Sequence, residues 1–212
     1  MNLSNHLLLT RGSGSKVLIY RTSASTTANL TTYTFTNKSI GTAATDRRVH
    51  VIFHSFGNSR TIVTASIGGV SADITVQVNS SNSLVGLLTA LVPTSTTADI
   101  IVTLSGGASR AAIGVWSSTG LTSNTATDTG TSIATPGTDS LASAVGGFCI
   151  SGISNNSTST VTWANITEQY DAQVGGASNY SGASISTTGA TISPSATYSA
   201  NDAGRVAVFA TF

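Results

Sequence analysis

The chain has 212 residues, enough for one large all-β domain or a domain with an arm, and 40% of them are hydrophobic with many Val and Ile runs, which excludes a disordered low-complexity polymer. Only 8% are charged, against roughly 25% in an average soluble protein, so repulsion between copies is weak and a subunit of a larger assembly is expected. The net charge of +1 is uneven: residues 1–48 carry Arg11, Lys16, Arg21, Lys38, Arg47 and Arg48 against Asp46, a net +5, whereas residues 49–212 carry Arg60, Arg110 and Arg205 against seven acids, a net −4.

Residues 1–27 read as an extended N-terminal arm. "MNLSNHLLLTRG" has leucines but no basic stretch before them and too short an apolar run for a signal peptide. "RGSGS" at 11–15 is a flexible break. "KVLIYRTSASTTA" then offers one short apolar strand and a Ser/Thr tail. Such an arm can lie on a neighbour or add a strand to its sheet around Val17 and Ile19, with Arg11, Lys16 and Arg21 as its charges.

Residues 28–212 read as one β-sandwich domain. "TTYTFTNKSIG" alternates Tyr33 and Phe35 with threonines. "RVHVIFHSF", 48–56, follows, then the turn "GNSR". "TIVTASIGG" and "ADITVQVN" are joined through Gly68-Gly69, and "SLVGLLTALVP" suits a short helix or a buried strand. "ADIIVTLSGGASRAAIGVWSSTG" reads as a hairpin from Asp99 to Leu104 and Arg110 to Ser118, turning at Gly106-Gly107. A Thr-rich strand at 124–134, "SAVGGFCISGIS", "STVTWANITEQYD", "SGASISTTGATIS" and "GRVAVFATF" complete the chain. No window sustains a helical apolar period, so ten or more short strands predict a two-sheet antiparallel sandwich of jelly-roll or Greek-key type. No segment approaches the 18 or so apolar residues of a membrane helix, so no membrane insertion is expected.

The stretch 48–56 carries two of the three histidines. On a strand, Val49, Val51 and Phe53 face one way and His50, Ile52, His54 and Phe56 the other. The first set is a core face; the second is mixed, as on a surface touching solvent or a partner subunit. His50 and His54 stand about 13 Å apart on a strand, too far to share one zinc ion with ligand bonds of about 2 Å. They are therefore read as structural or partner-contacting residues, with no metal or cofactor implied.

Other chemistry is sparse. Glu168 and Asp171 in "TEQYD" could act as an acid/base pair or bind Ca²⁺, or could simply mark a solvated strand end. There is no G-x-S-x-G elbow, and the glycine-rich "GGASR" and "SIGGVS" join strands rather than open helices. An enzyme is not expected. Trp116, Trp163 and Tyr170 could stack on a sugar if exposed. Cys149, the only cysteine, reads as a small buried hydrophobe and excludes an internal disulfide.

Together "TIVTASIGGVSADI", "LVPTSTTADIIVTLSGGASRAAIGVWSSTGL" and "TVTWANITEQYD" resemble a group of β-sandwich proteins encoded among the virion structural genes of tailed bacteriophages. The resemblance covers about residues 30–170 and implies no catalytic residues. It implies a non-enzymatic virion structural protein, made in the host cytoplasm, of the capsid-decoration or head-fibre type. Such a protein would dock on the major capsid protein or other virion proteins as a homo-oligomer, expected to be a trimer. Nucleic acid is not an expected partner. The alternative is a tail-associated receptor binder that recognises host surface glycans.

Overall fold

The computed structural model describes residues 16–57, 59–199 and 204–212. Its strands are β1 (Val17–Thr26), β2 (Leu30–Ser39), β3 (Arg48–Phe56), β4 (Ile62–Ile67), β5 (Val70–Ser71), β6 (Asp73–Ser80), β7 (Ser83–Leu91), β8 (Thr97–Ala108) and β9 (Arg110–Thr119), followed by β10 (Asp128–Ser132), β11 (Gly137–Thr138), β12 (Val145–Asn155), β13 (Val161–Ala164), β14 (Thr167–Val174), β15 (Ser178–Thr188), β16 (Ser195–Tyr198) and β17 (Val206–Thr211). The strand pairs are antiparallel, and the sheets pack face to face as the all-β sandwich reading requires.

The described residues form four sheets where two were expected, and they divide cleanly by sequence. The first nine strands make an outer sheet, β2-β8-β4-β5, and an inner sheet, β1-β9-β3-β7-β6. The last eight make a second inner sheet, β10-β17-β12-β15-β14, and a small outer sheet, β11-β16-β13. The first pair is called here the N-outer and N-inner sheets, the second the C-inner and C-outer sheets. Two sequence-contiguous units thus meet through their inner sheets, with residues 120–127 as the connection.

Strand alternation builds this stack. On β3, Val49, Val51 and Phe53 enter the core between the N-inner and N-outer sheets. Ile52 and Phe56 face the other way, into the seam between the two inner sheets. On β12, Phe148 and Ile150 enter that seam while Cys149 and Ile153 pack toward the C-outer sheet. β17 repeats the pattern, with Val206, Val208 and Ala210 in the seam and Ala207 and Phe209 on the far side. A strand covered on both faces has no solvent side, so every residue of β3 is buried and its polar side chains need partners inside. The same condition explains β7: Ser83–Leu91, open to helix or strand in the sequence, is a strand between β3 and β6 with eight buried residues in succession.

Two expectations are corrected. The 1–27 segment is not an arm throughout, because Val17–Thr26 pairs with β9 and forms an edge of the N-inner sheet. Leu18 and Tyr20 pack against the seam core, which ties the strand into the molecule. Nor do β8 and β9 form a hairpin. Gly106 and Gly107 lie within β8, and the chain crosses from the N-outer to the N-inner sheet at Ser109. Ser109 fixes that corner by donating from both N–H and Oγ to the Phe56 carbonyl, at 2.8 and 2.9 Å. Gly106 is required by packing rather than by a turn: a Cβ there would stand 2.8 Å from Arg60 Nε, which itself donates to the Gly107 carbonyl.

Close approach across the seam also requires Gly152 on β12, where a Cβ would stand 2.4 Å from Ile52 Cγ2 on β3. Gly152→Ala is therefore expected to lower stability by about 1–3 kcal/mol in urea denaturation. In an Ile52→Ala background, which empties that space, the same substitution should cost markedly less; an unchanged cost would show that the two residues do not share the contact.

Candidate functional site

The chemistry-bearing side chains converge on the seam. His50 and His54 are fully buried there, on the same face of β3. In the cross-strand register His50 lies beside Trp116 of β9 and Thr89 of β7. Its Nδ1 is 3.1 Å from Thr89 Oγ1 and its Nε2 is 2.8 Å from Ser118 Oγ. Phe148 and Phe212 of the C-terminal unit cover the ring, with centroids 5.5 and 4.8 Å away.

His54 bridges the two units directly. Its Nδ1 is 2.8 Å from Ser154 Oγ and its Nε2 is 2.9 Å from Tyr170 Oη. Ser154 donates its hydroxyl to the Leu84 carbonyl, so it accepts from His54 Nδ1–H. That leaves Nε2 as the acceptor for the Tyr170 hydroxyl, and the tautomer follows from the network.

Tyr170 is the wedge of the seam. Its ring fills space that two absent side chains leave open: a Cβ on Gly114 of β9 would stand 2.2 Å from it, and one on Gly182 of β15 2.5 Å. Tyr20, Trp116 and Tyr180 surround it at centroid distances of 5.9, 5.8 and 5.6 Å. Burial pushes the Tyr170 phenol well above its ordinary range, so it stays a hydrogen-bond donor. The same burial depresses both imidazoles, His50 and His54, from 6.5 to about 3, with the Arg48 charge adding to the effect at His50. Both rings are neutral at neutral pH.

The partner-contact reading of His50 and His54 is thus corrected. Their mixed face meets the protein's own C-terminal unit, and neither reaches a surface. Trp116, also fully buried, donates its indole N–H to Ser184 Oγ at 3.2 Å, and Tyr170 is inside, so neither can stack on a glycan. Trp163 is half-buried and donates to Ser181 Oγ at 2.7 Å. Glu168 and Asp171 do not form a free carboxylate pair. Asp171 accepts from Asn179 Nδ2 at 2.6 Å and from the Val161 N–H at 3.0 Å, which pins β13 to the C-inner sheet. The exposed Glu168 carboxyl is raised by partial burial and then by the Asp171 charge. Among the described residues no three His, Cys, Asp or Glu side chains cluster closely enough to hold a metal.

Two cations of the basic front, Arg47 and Arg48, are internal. Arg47, 1% exposed, donates to the carbonyls of Val92, Gly41, Ser95 and Thr94 at 2.6–2.9 Å. Arg48, also buried, holds Asn124 Oδ1 and the carbonyls of Asp46 and Leu121. Arg21 is half-buried and donates to Ser117 Oγ at 2.8 Å. Lys16 is half-buried, whereas Val17 and Ile19 remain 46% and 44% exposed on β1, whose far edge is unpaired among the described residues. Arg11 and His6 lie outside the described residues.

Tyr170 as the partner of His54, and Ser154, Thr89 and Ser118 as the other hydroxyl partners, carry no local signal in the sequence. The pairing of Gly114 and Gly182 with one intervening tyrosine becomes visible only once β9 and β15 are stacked. No protein-family model, curated protein or solved structure matches the chain.

His54→Leu keeps much of the ring's volume but strands the Tyr170 hydroxyl, and is expected to cost about 1–3 kcal/mol in denaturation. Tyr170→Phe strands His54 Nε2 at a similar cost. Because removing both partners leaves nothing unpaired, the double variant should be more stable than the sum of the singles implies, by about 0.5–3 kcal/mol. Strict additivity would show that the bond does not hold the seam.

Proposed function

We propose that this chain is a non-enzymatic virion structural protein of a tailed bacteriophage, a capsid-decoration or head-fibre subunit that docks on the major capsid protein and assembles with its own copies as a trimer. The observation that carries the reading is where the polar chemistry goes. His50, His54, Asp171, Arg47 and Arg48 all make internal hydrogen bonds, and the exposed surface among the described residues is rich in Ser and Thr hydroxyls with few charges.

The exposed face of the N-outer sheet illustrates that surface. Thr32, Thr103 and Thr64 lie in one cross-strand row, and Thr34, Ile101 and Ser66 in the next. Such a face carries little charge repulsion against a crowded lattice of like subunits. The sequence resemblance over residues 30–170 supports the same assignment. β1 supplies the docking edge: among the described residues it pairs only with β9, and Val17 and Ile19 present apolar surface beside Lys16. An unpaired edge with exposed Val and Ile is where another chain adds a strand.

A cryo-EM map of the particle is expected to show this protein on the capsid lattice. Val17→Asp combined with Ile19→Asp should leave the fold intact, since both side chains are exposed, and lower capsid occupancy about tenfold or more, the loss of roughly 1.4 kcal/mol of binding. Density confined to the tail, or full occupancy by the double variant together with a monomeric mass in sedimentation, would overturn the assignment.

A further inference from the structure

Each unit has a core of its own, and the seam between them is a third. The N-terminal core holds Tyr33, Phe35, Val51, Phe53 and Ile100 among others, and the C-terminal core holds Leu141, Cys149, Ile153, Tyr198 and Phe209. Both buried histidines lie in the seam, and each is covered by aromatic rings from the C-terminal unit. We propose that this seam is an acid-sensitive latch: protonation of His50 and His54 parts the N-inner sheet from the C-inner sheet while each unit keeps its own core.

Among the described residues an imidazolium here would meet hydroxyls and aromatic rings but no bonded carboxylate to offset its charge. Around His50 stand Thr89 on β7, Trp116 and Ser118 on β9, Phe148 on β12, Phe212 beyond β17, and the Arg48 cation two residues along β3. Around His54 stand Ser154 on β12, Tyr170 on β14 and Tyr180 on β15, with Tyr20 of β1 behind Tyr170. No carboxylate bonds either ring among the described residues. The nearest acids of the Arg48 network are already held, Asp46 by the Gly120 N–H and Asp73 by the Asn124 amide. Protonation of His54 also turns Nε2 into a donor, so the Tyr170 hydroxyl proton loses its acceptor.

A hydroxyl path leads from the surface to His50. Thr75 lines a surface groove of about 360 Å³ with Asp73, Asn124, Thr125, Ala126 and Thr129. Its hydroxyl is 3.1 Å from that of Thr89, which is 3.1 Å from His50 Nδ1. In the closed seam both histidines hold a proton only near pH 3, whereas freed imidazoles take one up near 6.5. The open form therefore binds more protons throughout that window, and closure weakens as pH falls through it, by about tenfold per pH unit for each histidine. Above about 6.5 neither form is protonated and the latch is fully closed.

The sole cysteine tells opening from unfolding. Cys149 is fully buried in the C-terminal core, on the face of β12 away from the seam. The full-length protein is titrated from neutral pH to about 3, following anilinonaphthalene sulfonate fluorescence for apolar exposure and dithiodipyridine, which reacts in acid, for Cys149. The expected result is a rise in dye binding between about pH 6.5 and 3 with Cys149 still protected. Dye binding and thiol reactivity rising together, or no dye binding down to about pH 3, would overturn the proposal. His50→Gln with His54→Gln removes both titrating groups and should move the midpoint down by about one pH unit or more; an unmoved midpoint is evidence against the latch. Should that variant bind dye already at neutral pH, imidazole carbon shifts of the unaltered protein decide: His50 and His54 must titrate with dye binding, and titration only with Cys149 exposure overturns the proposal.

Discussion

The structure depends on a polar tie drawn across an apolar seam. Tyr170 crosses from the C-terminal unit, fits its ring between Gly114 and Gly182, and donates its hydroxyl to His54 on the central strand of the N-terminal unit. Ser154 completes the tie from the other side of the imidazole. A buried hydroxyl or imidazole without a partner costs about 1–3 kcal/mol, so each of these groups restricts the placement of the others. The tie gives two stacked sheets a defined register, which apolar packing alone specifies less sharply. The glycines are part of the same arrangement, because any side chain at 114 or 182 would occupy the place of the tyrosine ring.

The scarce charges follow a related logic. Arg47 is buried without a carboxylate beside it and instead binds four carbonyls from the 41 and 92–95 loops. Arg48, Arg60 and Arg110 likewise hold backbone carbonyls, the last at Val174 across the seam. Loops that leave a sheet lose their ladder partners, and buried carbonyls need donors from elsewhere. A guanidinium supplies five in a rigid fork. Arg47 and Arg48, used in this way, are taken off the surface.

Short-range pattern conveyed the strands well and their partners poorly. The alternation of Tyr33 with Phe35, and of Val49 and Val51 with Phe53, marks core faces that the structure shares. The histidine face of β3 read as a surface because polar residues on a strand usually face water. Here it meets the second unit, and the polar groups are paired rather than solvated. The glycine pair at 106–107 looked like a turn, yet its absent side chain makes room for Arg60. Val17–Thr26 carries too little local apolar pattern to distinguish an arm from an edge strand; the packing of Tyr20 on Trp116 and Tyr170 settles it.

By itself the sequence determined that the chain is all-β, where most strands run, and which side chains share a strand face, since these depend on a two-residue period and on turn chemistry a few residues long. Only the tertiary structure decided that there are four sheets, that the chain divides at 120–127, and that His50 and His54 lie at the centre. Those outcomes rest on contacts such as the one from His54 to Tyr170, 116 residues apart. Stacking brings such residues together through complementarity of whole sheet faces, a property that no local window of the chain contains.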